Sequence, residues 1–296
     1  MCQPTLGWRN LHRRFLSSSF WTTVRCNRAV VHCYPPKPLK GDMKMATDNN
    51  NKLPKCWQDV KLALEAGLDK IILFGPPGTG KTFAGLNYGD TTGGAFRLIC
   101  TEEMTSSDVV GHYMPSASGA WHWHDGAAVR AWEGNGIQGG RLVVDEIDRA
   151  NGDVLSLLLS MLDSEASATW LHPERGMEMK PRQGFSAVMT TNIEDMRELP
   201  TALKDRFPVA LRINTPHPDA LTFLSEDLRV PAALSADLEG ERRTSLRGWA
   251  AFDKLRSHLL STGLDADEAL NEAAKLLFPN SWMSIVDTIR VNNIGE

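Results

Sequence analysis

Five short apolar runs punctuate the first two thirds of the chain: Lys70–Phe74, Ala95–Cys100, Arg141–Asp145, Phe185–Thr191 and Val209–Ile213. Each has strand length rather than helix length, and stretches with helical spacing separate them. Strands that stay apolar instead of alternating are buried on both faces, which is the condition of a parallel sheet covered by helices. Val154, Leu155, Leu158, Met161 and Leu162 mark one such helix after the third run. Thr215-Pro216-His217-Pro218 then breaks the pattern. Beyond it no strand signal remains, and helices are predicted near 218–228, 244–261, 265–278 and 281–291. The expected fold class is therefore α/β: an αβα body over 52–214 with a five-stranded parallel sheet, followed by a small helical domain over 215–296.

Composition changes this picture little, but charge does. Hydrophobic residues make up 42% and charged residues 23% of the 296, which are ordinary globular values. Residues 1–41 hold seven basic residues and no acid, whereas the remainder carries 25 basic against 36 acidic residues. An acidic body disfavours a broad, sequence-independent grip on nucleic acid, which needs cations to displace phosphate counterions. Residues 1–42 are rich in Arg and Ser and end in a proline cluster. They read as a disordered tail or as sequence upstream of a later start at Met43 or Met45; an organelle transit peptide is the alternative. Five cysteines with no CxxC suggest free thiols in a reducing compartment, the cytoplasm. No apolar run approaches the ~18 residues needed to span a membrane.

The chemistry begins at Gly75-Pro76-Pro77-Gly78-Thr79-Gly80-Lys81-Thr82, which matches GxxxxGK[ST] directly after a strand and before a helix. Glycines let backbone N–H groups wrap a phosphate, and the helix N-terminus adds a favourable dipole. Lys81 is expected to meet the β- and γ-phosphates, and the Thr82 hydroxyl to ligate Mg2+. The third run ends in two carboxylates, Asp145 and Glu146. Asp145 suits the metal ion; Glu146 suits the task of orienting and deprotonating an attacking water.

These motifs, with the proline pair in the first and Asp145-Glu146-Ile147-Asp148-Arg149-Ala150 in the second, resemble the AAA+ ATPases. Within them they are similar to the MoxR-like branch, which also resembles the nitric-oxide-reductase and Rubisco activator ATPases and the midasin modules. The resemblance covers about 52–295. It implies ATP and Mg2+ as ligands and a homo-oligomeric ring, commonly a hexamer. By the same resemblance Asn192, after Thr190-Thr191, takes the role of sensor 1 near the γ-phosphate. Arg206, in Leu199-Pro200-Thr201-Ala202-Leu203-Lys204-Asp205-Arg206-Phe207, takes that of an arginine finger for the neighbouring subunit. Arg247, after Ser245-Leu246, takes that of the sensor 2 arginine, with Arg242 and Arg243 close by.

Two further segments read as hairpins. Trp121-His122-Trp123-His124 alternates, so the tryptophans share one face and the histidines the other. The MoxR-like families carry a similar insertion, projecting toward the ring's pore, and exposed tryptophans there suit contact with a client. His112, His122 and His124 lack a Cys or carboxylate at metal-site spacing. The second hairpin spans about 164–184 and has mixed charge. The expected function is ATP-driven remodelling or activation of a partner protein complex; a nucleic-acid motor or a restriction-type nucleotidase subunit is the alternative.

Overall fold

The structure, a computed structural model, describes residues 53–236, 238 and 243–293. The basic N-terminal segment and Arg242 lie outside the described residues. The central sheet comprises β1 (Lys70–Phe74), β2 (Ala95–Ile99), β5 (Arg141–Asp145), β8 (Ser186–Thr190) and β9 (Val209–Arg212). Their order is β2-β5-β8-β1-β9, and every neighbouring pair is parallel.

Alternation along each strand divides the apolar side chains between two cores. Ile71, Leu73 and Val188 join Trp57, Val60 and Ala84 on one face. Ile72, Leu142, Val144, Ala187 and Met189 join Trp132, Val154, Leu158 and Leu203 on the other. Both faces are covered, so both residue parities are apolar. The first face is closed by α1 (Lys55–Glu65) and α2 (Lys81–Asn87), the second by α3 (Ser106–Val110), α4 (Ala127–Glu133), α5 (Gly152–Met161) and α6 (Thr201–Arg206). At Gly85 of α2 a Cβ would sit 3.2 Å from methyls of Val143 and Val188, so α2 lies tightly on the sheet.

Two antiparallel hairpins leave this body. The pair β3 (Gly111–Pro115) and β4 (Trp121–Asp125) interrupts the segment between α3 and α4, and β6 (Trp170–His172) pairs with β7 (Met177–Met179). The first is tightly closed at its base. A Cβ on Gly111 (φ 128°) would meet the His124 carbonyl oxygen at 2.2 Å, which only glycine permits.

After β9 come α7 (Pro218–Leu221), α8 (Glu226–Ser235), α9 (Leu246–Ser261), α10 (Ala266–Leu277) and α11 (Trp282–Asn293). Leu228, Trp249, Phe252, Leu270, Ala273, Ile285 and Ile289 form a core of their own. The single helix expected over 218–228 is instead two. Ser225 breaks it, giving its N–H and hydroxyl to the Asp253 carboxylate, and Glu226 and Asp227 open a new first turn. Acids at a helix N-terminus complement its dipole. Among the described residues no helix is long and apolar enough to cross a membrane.

Candidate active site

The loop between β1 and α2 turns on three glycines with positive φ: Gly75 (119°), Gly78 (78°) and Gly80 (101°). Each bend brings the chain against a neighbour. A Cβ on Gly75 would lie 2.8 Å from the Ile213 carbonyl oxygen, and one on Gly78 would lie 2.8 Å from Cβ of Ser245. The helical C-terminal part thus rests directly on the loop. Lys81, the first residue of α2, is only 5% exposed. Its Nζ donates to the carbonyls of Gly75 (2.8 Å) and Pro76 (2.7 Å) and to Asn192 Oδ1 (3.1 Å). Burial pushes its pKa down to about 8, against the pull of Asp145, Asp148 and Glu146.

Asp145 ends β5 with its carboxylate almost fully buried. Thr82 donates to Oδ1 at 2.6 Å, Thr190 donates to the same oxygen, and the Arg97 guanidinium holds Oδ2 through Nη2 and through Nε at 3.1 Å. Burial opposes the charge, yet the hydrogen bonds from Thr190, Thr82 and Arg97 outweigh it and hold the carboxyl below its usual range. A hydroxyl and a carboxylate are hard oxygen donors, and here they meet at the end of the phosphate loop. That donor set fits Mg2+, with Thr82 and Asp145 as the residues that would hold it.

Glu146 follows in a left-handed conformation (φ 56°, ψ 48°), and its carboxylate pairs with Arg149 at 3.2 Å. The end of β8 reaches three elements with three consecutive side chains. Thr190 bonds Asp145, Thr191 Oγ1 donates to Asp148 Oδ1 at 2.6 Å, and Asn192 accepts from Lys81.

Of the residues expected from the sequence, Gly75, Pro76, Pro77, Gly78, Thr79, Gly80, Lys81, Thr82, Asp145, Glu146 and Asn192 form one connected cluster. Thr79 is buried and donates to the Pro76 carbonyl, bracing the loop from within. Arg206 is tied elsewhere: its guanidinium meets Asp163 at 3.2 Å and the Ala202 carbonyl at 3.2 Å, and its Nε is buried without a partner. Arg247 is exposed at the second position of α9, the helix whose N-cap, Ser245, touches Gly78. Arg243 lies nearer the charge: it pairs with Glu194, donates to the Leu238 carbonyl at 2.8 Å and acts on the Lys81 ammonium.

The two tryptophans of the first hairpin differ. Trp121 is 64% exposed. Trp123 packs against Tyr113, Trp170 and His172, which fuses the two hairpins. Asp125 joins them again, accepting from Trp123 Nε1 (2.9 Å), from buried His172 (3.0 Å) and from Arg175 (3.2 Å).

Sequence reasoning missed Arg97, Thr190, Thr191, Asp148 and Arg149. One signal was available: Arg97 is a charge in the middle of an otherwise apolar strand, and such a residue needs a partner.

Residues 70–207 match the family model described as AAA domain (dynein-related subfamily). Among solved structures the chain is similar to a candidate ATPase from Cytophaga hutchinsonii, at 16% identity over 79% of this chain and 68% of that one, with a TM-score of 0.42. It is also similar to the RuvB Holliday junction branch migration motor of Thermotoga maritima (19% identity, 76% of this chain, 70% of that one, TM-score 0.46). NtrX from Brucella abortus is a third (14%, 72%, 53%, 0.47). At these identities and scores the likenesses carry nothing about what this chain acts on. The family match spans both phosphate motifs, Asn192 and Arg206.

Proposed function

We propose that this site hydrolyses ATP between subunits of a homo-oligomeric ring, a hexamer, and uses the energy to remodel a partner protein in the manner of the MoxR-like ATPases. The observation that carries the catalytic part is the connected cluster of Lys81, Thr82, Asp145 and Asn192. The glycine-bent loop cradles the phosphates, and Lys81 exchanges the carbonyls of Gly75 and Pro76 for phosphate oxygens. Thr82 and Asp145 would hold Mg2+, which when bound would supply positive charge against the phosphate oxygens. Glu146, at the rim of the cluster, orients the attacking water and takes its proton. Asn192 turns its amide to the γ-phosphate once Lys81 shifts. Arg206 leaves Asp163 to reach the neighbouring subunit's nucleotide, where its planar fork matches phosphate oxygens. Arg247 and Arg243 bring cations from the helical side, so closure of the 215–296 domain over the 52–214 core senses the nucleotide.

The client reading rests on the fused hairpins. Trp121, Tyr113, Met114, Leu171 and Met177 are exposed on them. Exposed aromatic and methionine side chains are typical anchors for a protein surface. The test is a pull-down with the Glu146→Gln protein held with ATP. Recovery of a specific protein that is lost with Trp121→Ala supports the reading. Recovery of nucleic acid instead overturns it in favour of a motor.

A further inference from the structure

Glu146 is the one described residue other than glycine with a positive φ. A side chain in the left-handed region carries strain, and such a conformation persists only where its surroundings over-determine it. Its N–H donates to Thr190 Oγ1 at 3.4 Å, its carbonyl accepts from the Arg149 N–H at 2.9 Å, and its carboxylate pairs with Arg149. Two of these three contacts come from one 3-10 turn, Ile147–Arg149. The orientation of that turn therefore sets the orientation of Glu146.

Two side chains fix the turn. Ile147 is buried in the core and holds it down. Asp148 is exposed, so it fills no core space, yet it accepts a 2.6 Å bond from the hydroxyl of Thr191, which is fully buried. That hydroxyl also accepts the Ile193 N–H at 3.2 Å, so its proton and its rotamer are committed. A core residue such as Ile147 resists lifting of the turn but not its rotation about the buried side chain. A hydrogen bond to the rigid end of a central strand resists rotation.

We propose that Thr191 and Asp148 are positioning residues for hydrolysis. Their bond fixes the rotation of the 3-10 turn and, through it, the direction of the Glu146 carboxylate. The inference rests on the reading of Glu146 as the base.

The test compares single-turnover hydrolysis and nucleotide affinity in the full chain. Asp148→Ala and Thr191→Val slow hydrolysis roughly 10- to 100-fold, the scale of a small misplacement of a reacting group, with Kd changed less than about twofold. Thr191→Ser keeps the hydroxyl and stays near the wild-type rate. Asp148→Ala added to Glu146→Gln changes nothing further, because the group it positions is already disabled. The proposal is overturned if Thr191→Ser is as slow as Thr191→Val. It is also overturned if Kd weakens in step with the rate, or if Asp148→Ala slows the Glu146→Gln protein by the same factor as wild type. Should Thr191→Val fail to fold, Asp148→Ala, at an exposed position, decides alone. A Glu146→Gln parent that turns over normally overturns the base reading itself; a slow parent with independent losses overturns only the positioning role.

Discussion

Lys81 in this chain is paired with oxygens of its own loop and with Asn192, and Asp145 already accepts from three side chains. Nucleotide binding at such a site is an exchange of partners, because buried charges left unpaired are costly. Lys81→Ala removes the cation that the phosphates need, and nucleotide binding measured by titration should be lost. Glu146→Gln leaves that exchange intact: it should bind ATP and hydrolyse it at least ~100-fold slower in a steady-state assay. Gly78→Ala tests the contact between loop and helical domain. Its φ of 78° and the 2.8 Å approach to Ser245 both oppose a side chain. The backbone alone costs about 1–2 kcal/mol, so the melting temperature should fall and nucleotide affinity with it. An unchanged melting temperature would mean that the loop and Ser245 separate freely.

At the scale of elements, the hairpins are where pattern reading met its limit. Alternation correctly put Trp121 and Trp123 on one face of a strand, opposite Pro115 and Tyr113. It could not tell which of them would be covered, since the cover comes from Trp170 and His172, nearly fifty residues later. The two residues should therefore separate on mutation. Trp121→Ala should leave basal ATPase and melting temperature unchanged while weakening client binding. Trp123→Ala should lower the melting temperature, by the equivalent of roughly 1–3 kcal/mol for a half-buried aromatic. Equal destabilisation by both would make Trp121 a packing residue. The three inner strands β1, β5 and β8 were legible for the opposite reason: they are buried on both faces, so composition alone marks them, to within a residue or two at the ends. The split of 218–228 was hidden because its cause, Asp253, lies on another helix. The phosphate motifs are local and were read directly. Thr191 and Asp148, 43 positions apart, meet only through strand order.

For the molecule as a whole, the question is whether one chain holds a complete site. Arg206 lies on α6 and is turned to Asp163, away from the cluster around Lys81. Arg206→Ala should bind nucleotide almost normally and lose on the order of 10³-fold in hydrolysis. Mixing Arg206→Ala with Glu146→Gln should restore some activity, since a mixed ring can assemble one site from an intact Glu146 and a neighbour's intact Arg206. Exchange of subunits without any recovered ATPase would count against a finger acting between subunits. Normal hydrolysis by Arg206→Ala would leave it a surface ion pair, a contribution of at most ~1 kcal/mol.

One contact also sets a mechanical ratio. α9 begins on the phosphate loop, with Ser245 against Gly78, and runs 16 residues into the core of the helical domain. A straight helix of that length is about 24 Å long, so a tilt of about 5° pivoting at the loop carries its far end about 2 Å. A small rotation about that contact would therefore be magnified along the helix, with the largest displacement at the end farthest from the loop. Trp249 and Phe252, fully buried on that helix, oblige the helices packed around them to travel with it.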